Sequence, residues 1–198
     1  NTKKINEKSV LNEKFHRTYN EIICEDGNVL VGYYQSYKYF NHIYDKIISL
    51  FSMPDNIKSK ILEIYGNLFE NTVVSVHIRR GDYVRDPNFD CLSLDYYYDG
   101  LNLLPDIPVL IVTNDVEWCK KNFNNEKFTI STFEDACIDL CLMSMCNYHI
   151  IANSSYSWWG SWLAKSKKTI APKNWFSSSG ELSNYNTKDL YLPNWIVN

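Results

Sequence analysis

Residues 72–84 join a strand-forming run to a dense group of positive charge and read TVVSVHIRRGDYV. The first seven residues are rich in β-branched side chains, a composition typical of a buried strand. Three of the chain's four arginines, Arg79, Arg80 and Arg85, fall within seven positions directly after that run. A guanidinium group is a planar fork that binds phosphate through two hydrogen bonds. This stretch therefore predicts a buried strand with an anion site at its carboxyl end.

A second interpretation of the arginine group is a solvated turn in which Asp82 and Asp86 neutralise the charge. The chain holds 20 basic residues but uses lysine almost everywhere outside this turn. This selective use of arginine favours the anion site. A carboxylate beside two guanidinium groups has a lowered pKa, so we expect Asp82 to orient the arginines rather than to act as a base. Asp86 is a weaker candidate base, suggested by proximity.

The surrounding sequence alternates between strand and helix patterns. Predicted strands cover 28–34, 72–78, 109–113, 127–131, 149–152 and 168–171, and predicted helices cover 36–51, 55–68, 93–104, 117–123, 133–146 and 155–164. Strands separated by helices, with β-branched cores, indicate a parallel sheet covered on both faces. The sequence therefore predicts an α/β, Rossmann-like fold, in which ligands bind beyond the carboxyl ends of the strands.

Composition excludes several classes of function. The net charge of −3 argues against a nucleic-acid partner, which requires a basic face. No G-x-G-x-x-G sequence is present, so a nicotinamide or flavin fingerprint is missing. The six cysteines form no C-x-x-C pair, and no apolar stretch is long enough to span a membrane. We expect free thiols, with Cys137, Cys141 and Cys146 buried, and a reducing compartment.

Polar residues also follow other predicted strands. Asp115 comes after strand 109–113, where its carboxylate could accept hydrogen bonds from guanine N1 and N2 or could cap the next helix. Asn153, Ser154 and Ser155 join a strand to a helix, and the positive end of that helix suits a phosphate. His77 lies two positions before Arg79 on the strand, so both side chains can face the same side. It is expected either to contact a nucleotide or to be a satisfied sheet histidine.

Three segments together resemble one enzyme family. HIRRGDYV at 77–84 resembles the H-x-R-R-x-D motif of α-1,2-fucosyltransferases, which α-1,6 enzymes share more loosely. GYYQS at 32–36, followed by KYF at 38–40, resembles the family segment G-Y-F-Q-S-x-K-Y-F. NSSYSWWG at 153–160 resembles N-S-S-F-S-W-W-G. Because the matches are ordered and spread over most of the chain, the resemblance is specific.

The resemblance implies an inverting enzyme that moves L-fucose from GDP-fucose to a galactose hydroxyl of a glycan, forming an α-1,2 linkage. It implies no cofactor and no metal, because two arginines carry out the charge stabilisation that a metal ion supplies elsewhere. The catalytic group it implies is Arg79 and Arg80, oriented by Asp82. Donor binding is assigned to the same arginines together with His77, Asp115, Asn153, Ser154 and Ser155.

The resembling family has the two-domain GT-B architecture, with the donor held mainly by the C-terminal domain. The family's glycine-rich N-terminal motif, G-G-L-G-N-Q, does not occur here. We therefore expect the C-terminal, donor-binding half of a longer protein, with 1–70 a remnant of the acceptor domain together with connecting helices and 71–198 the Rossmann-like GDP-fucose-binding domain. The expected location is the cytoplasm, including the periphery of a membrane, or the Golgi lumen if an anchor precedes the chain.

Two other functions compete with this interpretation. The chain could be a non-catalytic module that binds GDP or a glycan, although a lectin has no need of paired arginines at a strand end. It could also form a different linkage, as an α-1,6- or protein O-fucosyltransferase. The N-S-S-x-S-W-W segment favours the α-1,2 group, which it resembles most.

Overall fold

The computed structural model describes residues 10–13 and 18–198, so Arg17 lies outside the described residues. These residues form two compact units. The smaller contains 10–13, 18–44 and 184–192, and the larger contains 45–183 and 193–198. The division at 70/71 into an acceptor-domain remnant and a donor-binding domain stays a prediction.

The smaller unit contains a pair of short parallel strands, β1 (Val10–Asn12) and β2 (Val29–Val31). The predicted helix 36–51 is wrong in its first half, which forms two 3₁₀ turns, Tyr37–Tyr39 and Asn41–Ile43. An α-helix, α1, covers only Tyr44–Leu50, and all of it but Tyr44 belongs to the larger unit. Aromatic residues crowd the start of this segment and have modest helix propensity, which explains why the α-helix begins late.

The larger unit contains a six-stranded parallel sheet, which confirms the Rossmann-like α/β prediction. Its strand order is β5-β4-β3-β6-β7-β8. The strands are β3 (Val74–Ile78), β4 (Val109–Thr113), β5 (Phe128–Ile130), β6 (Tyr148–Ile150), β7 (Lys168–Ala171) and β8 (Ile196–Val197). The helices are α2 (Asp55–Phe69), α3 (Leu94–Asn102), α4 (Val116–Asn122), α5 (Ala136–Ser144) and α6 (Ser155–Leu163). The edge strand β8 was not predicted, because two residues carry no readable periodicity.

Side chains that alternate along the strands fill two separate cores. Val74, Val76 and Ile78 pack into a cluster with buried residues of α3 and α4, and we call this side the α3/α4 face. Leu110 and Val112 of β4 pack with buried residues of α2 and α5 on the other side, the α2/α5 face. Both faces of the sheet are therefore covered, as a parallel sheet requires.

Helix α5 differs in two ways from the predicted helix 133–146. It begins at Ala136, because the Asp135 side chain caps it by accepting hydrogen bonds from the N–H groups of Cys137 and Ile138. It is also buried along one face only. The expectation of a buried thiol is right for Cys146, which follows the helix, whereas Cys141 is half-buried and Cys137 is exposed. The first two residues of the helix, Ala136 and Cys137, are exposed despite their apolar character.

Candidate functional site

A cavity of about 600 Å³ opens at the carboxyl ends of β3 and β4 and at the start of α6. It lies on the α2/α5 face, because its wall includes Val112 from that core. The lining residues come from four segments: His77, Arg79, Asp82 and Tyr83; Val112, Thr113, Asn114 and Val116; Phe133, Glu134, Asp135, Ala136 and Asp139; and Ser154, Ser155 and Tyr156. The position is the one where parallel α/β sheets bind ligands.

Arg79 supplies the positive charge of the cavity wall. Its Nε and one terminal nitrogen each donate to a different oxygen of Asp82 at 2.8 Å, a two-bond fork. This hydrogen bonding and the guanidinium charge lower the pKa of Asp82. Asp82 is therefore ionised near neutral pH and unsuited to act as a general base. Asp82 is paired with Arg79, and its role of orienting both arginines for catalysis stays a prediction.

Arg80 takes the opposite direction. Its guanidinium carbon lies 4.4 Å from the centre of the Trp118 ring, and its Nε pairs with Asp115 at 3.1 Å. Trp118 packs against the core of the α3/α4 face. Neither Arg80 nor Asp115 lines the cavity. Side chains alternate along an extended chain, so Arg79 and Arg80 point to opposite sides of the sheet. Contact of Arg80 with a donor stays a prediction.

Asp115 carries out the capping role that the sequence allowed. One carboxylate oxygen accepts from the Trp118 N–H at 3.2 Å, while the other accepts from Arg80. Both oxygens accept hydrogen bonds from groups on the α3/α4 side, and Asp115 does not line the cavity. The guanine contact of Asp115 stays a prediction.

Asn114 joins the turns after β3 and β4. Its Oδ1 accepts from the Arg80 N–H at 2.9 Å, and its Nδ2 donates to Asp82 at 3.3 Å. A Cβ atom on Gly81 would lie 2.5 Å from that Nδ2. The glycine of the R-R-G-D turn is required here because the Asn114 side chain closes over it.

His77 lines the cavity from the strand and is buried, 3% exposed. Burial, followed by the nearby Arg79 charge, lowers its pKa to about 3, so the ring is neutral at physiological pH. Its Nδ1 is buried with no hydrogen-bond partner among the described residues. The Tyr156 ring lies 5.4 Å away. A neutral imidazole at this place can offer one N–H to an anionic ligand without adding charge.

In the Asn153–Ser154–Ser155 turn, the two serines line the cavity and the asparagine holds the turn to neighbouring segments. Ser154 and Ser155 line the cavity at the N-terminus of α6. Asn153 does not line it: this buried side chain donates from Nδ2 to the carbonyls of Asp90 and Trp175. Asn153 ties the turn to two neighbouring segments, and its contact with a donor stays a prediction.

The sequence interpretation missed several residues of the cavity wall, of which Asp139 is the most telling. It is only 8% exposed, and Ser131 donates to it at 2.6 Å. Burial outweighs this hydrogen bond and raises the pKa of Asp139 to about 6. A carboxylate inside the apolar run ACIDLCLMSMC was a readable signal, because an acidic residue in a buried helix needs a partner or a ligand.

Within 10–13 and 18–198, no group of three or more His, Cys, Asp or Glu side chains is placed to hold a metal ion. Over the same described ranges, no helix has the length and apolar character that crossing a membrane requires. Metal independence stays a prediction.

The whole chain, residues 1–198, matches the model of glycosyl transferase family 11. The chain belongs to this family. It is 37% identical over 187 residues to an α-1,2-colitosyltransferase of Escherichia coli, covering 84% of this chain and 61% of the relative. It is 31% identical over 203 residues to the O-antigen biosynthesis glycosyltransferase WbnK of the same organism, covering 92% and 65%.

A more distant relative is human galactoside α-(1,2)-fucosyltransferase 1, at 25% identity over 187 residues, or 84% of this chain and 51% of the relative. The chain thus spans between about half and two thirds of the length of these curated relatives. Among solved structures, the α-1,6-fucosyltransferase NodZ soaked with GDP-fucose superposes with a TM-score of 0.42 at 15% identity, over 56% of this chain and 42% of that one. This likeness is too distant to bear on function.

Proposed function

We propose that this chain belongs to an inverting, metal-independent glycosyltransferase that moves L-fucose from GDP-fucose to a galactose hydroxyl of a glycan, forming an α-1,2 linkage. The observation that carries the proposal is the cavity in which Arg79 and the N-terminus of α6 are both exposed to one ligand space. Family membership and the names of the relatives support the reaction class. In the GT-B architecture that the resemblance implies, this sheet is the donor-binding half.

The diphosphate of the donor is assigned to Arg79, Ser154 and Ser155. The first N–H groups of a helix have no intrahelical acceptor and carry partial positive charge, so they complement the guanidinium. Asp82 holds Arg79 in one orientation before the ligand arrives. As the bond to the sugar breaks, negative charge grows on the β-phosphate, and donors fixed beforehand stabilise that charge without reorganising.

Guanine is assigned to the deeper wall of the cavity. A carboxylate that accepts from N1–H and N2–H selects guanine over adenine, which lacks that donor pair. Asp139 is the buried carboxylate that lines the cavity, whereas Asp115 is engaged by Arg80 and Trp118. The apolar side chains of Val116 and Phe133 line the same region and suit the faces of a purine.

A second candidate function is the transfer of colitose, which is fucose without its 3-hydroxyl. The 37% identity to an α-1,2-colitosyltransferase exceeds the 25% identity to the human fucosyltransferase and favours this candidate. Both reactions use the same diphosphate and base contacts. They differ only in whether the site provides a hydrogen-bond partner for the 3-hydroxyl.

Two measurements test the proposal. Titration calorimetry should show that GDP and GDP-fucose bind, that ADP binds much more weakly and that free fucose does not bind. A preference for free sugar would instead identify a lectin-like module. Transfer assays with GDP-fucose and GDP-colitose on a β-galactoside, with the product linkage read by NMR, then separate the sugars and the linkages. A product other than α-1,2 would overturn the linkage assignment.

A further inference from the structure

Tyr83 joins the two turns that we assign to the diphosphate. It follows Asp82 in the turn after β3, and its hydroxyl donates to the backbone carbonyl of Asn153 at 3.0 Å. That carbonyl belongs to the peptide unit that also contains the Ser154 N–H, and a peptide unit is planar. Fixing the carbonyl oxygen therefore fixes the orientation of the backbone that enters α6.

The Tyr83 ring is itself held in place. It stacks on Phe89 with centroids 4.7 Å apart and planes 20° from parallel, and Phe89 in turn packs against Phe176 at 5.4 Å. Burial raises the pKa of Tyr83 to about 12, so its hydroxyl is protonated and able to donate throughout the physiological range. These ring contacts restrain Tyr83, so its hydroxyl restrains the Asn153 carbonyl at the start of α6.

Arg79 rests on the same residue. Its guanidinium carbon lies 5.7 Å from the centre of the Tyr83 ring, within the range of a cation–π contact. Asp82 restrains the guanidinium through two hydrogen bonds. Tyr83 thus contacts Arg79 through its ring and the α6 turn through its hydroxyl.

We propose that Tyr83 is a positioning residue that sets the separation between Arg79 and the N-terminus of α6, so that one diphosphate can contact both. The inference rests on the proposed function, because it requires a diphosphate ligand. A monophosphate can be satisfied by one of the two groups alone, whereas a diphosphate gains from both only at the correct spacing. The hydroxyl of Tyr83 should therefore favour GDP over GMP.

The test compares Tyr83→Phe with Tyr98→Phe in the 198-residue chain, with GDP and GMP titrated by calorimetry. Both substitutions remove one tyrosine hydroxyl that donates to a backbone carbonyl at 3.0 Å. The Tyr83 hydroxyl also hydrogen-bonds the Ser154 side chain at the same turn, whereas Tyr98 donates to Asn122 at the end of α4, outside the cavity. Tyr83→Phe should weaken GDP binding about three- to tenfold, the effect of one neutral hydrogen bond, and should change GMP binding less than twofold. Tyr98→Phe should leave both affinities unchanged.

The outcomes separate the inference from the function on which it rests. A chain that binds neither GDP nor GMP overturns the proposed function and this inference with it. An unaltered chain that binds GDP, together with a Tyr83→Phe variant that binds GDP equally well, overturns the inference alone. Equal weakening of GDP and GMP would also overturn it, because that result describes general loosening of the site. Urea unfolding of both variants checks that each is folded under the conditions of the titrations.

Discussion

The two faces of the sheet end differently at its carboxyl edge. On the α3/α4 face, Arg80 closes the edge by lying on Trp118 and pairing with Asp115, and the core below it is apolar. On the α2/α5 face, the core stops short and leaves a cavity of about 600 Å³ lined by Arg79 and Asp139. At this edge, the charged groups of the α3/α4 face are paired with each other, whereas Arg79 and Asp139 of the α2/α5 face line an open cavity.

The comparison shows how two adjacent arginines take different places: Arg79 lines the cavity, and Arg80 packs on Trp118 at the opposite side of the sheet. Consecutive residues of an extended chain point to opposite sides, so Arg79 continues the direction of His77 while Arg80 continues that of Ile78. Asn114 links the two sides, since it holds the Arg80 backbone and the Asp82 carboxylate at once. The scaffold arginine thereby fixes the turn on which the ligand-facing arginine is mounted.

The largest expected effect is that of Arg79→Lys on the open face. Lysine keeps the charge but loses the fork that binds Asp82 and a phosphate together. In the full-length enzyme, the kcat for transfer from GDP-fucose should fall about 10²–10³-fold, and KM should change less, as for loss of a preorganised donor. Arg85→Lys, on an exposed turn residue, is the control. Near-normal turnover by Arg79→Lys would mean that the arginines of the turn after β3 act only through their positive charge and not through a fixed guanidinium geometry.

Asp139→Asn should be next in size. Loss of a charged acceptor for guanine should weaken GDP binding roughly 10- to 100-fold and reduce the preference over ADP. Because the pKa of Asp139 is raised to about 6, the affinity of the unaltered chain for GDP-fucose, whose diphosphate lacks the terminal phosphate group that titrates near this pH in GDP, should fall as pH drops through 6, and the variant should lose this dependence. Calorimetry between pH 5 and 8 measures both. If Asp115→Asn abolished the preference for GDP over ADP instead, the guanine-binding carboxylate would be Asp115 on the α3/α4 face.

Gly81→Ala tests the link between the faces. The added Cβ would displace the Asn114 amide, 2.5 Å away, and break its bonds to Arg80 and Asp82. We expect a loss of about 1–2 kcal/mol in the free energy of unfolding, measured in urea. The loss should disappear in an Asn114→Ala background, where the methyl group has room. Gly66→Ala, whose Cβ meets nothing within 4 Å in α2, should be neutral or stabilising.

Arg80→Lys should mainly affect stability. The planar stacking on Trp118 and the ion pair with Asp115 are partly exposed, so we expect about 1 kcal/mol of destabilisation. Turnover should fall far less than in Arg79→Lys. Urea midpoints and steady-state rates of the two variants, measured side by side, give the contrast. Equal losses of turnover would mean that Arg80 reaches the donor, as the sequence motif predicted.

The smallest expected effect is that of chelation. If Arg79 and the α6 N-terminus supply the stabilising charge, EDTA should leave transfer unchanged. The measurement is the transfer rate before and after dialysis against EDTA, with Mg²⁺ or Mn²⁺ added back. A large loss restored by either metal would show that the open face works through an ion rather than through its own groups.

Much of the fold was predictable from local pattern. The β-branched run at 72–78 and the run at 109–113 were recognised as strands, and Ser93 was recognised as the start of α3, where its side chain accepts from the Tyr96 N–H. These features depend on neighbours in sequence. The segment after Ser36 was misjudged because its turns depend on a buried serine and packed rings rather than on periodicity.

The sequence by itself determined the order of strands and helices, the arginine turn at a strand end and the family to which the chain belongs. Because side chains alternate along an extended chain, the adjacent positions of Arg79 and Arg80 in the sequence also imply that they point to opposite faces of the sheet. Only the tertiary structure decided which side chains line the cavity: Asp115 and Asn153 do not, and Asp139 does, from a helix 60 residues beyond Arg79. The physical reason is that secondary structure follows from local contacts, whereas a ligand space is what packing between distant segments leaves unfilled.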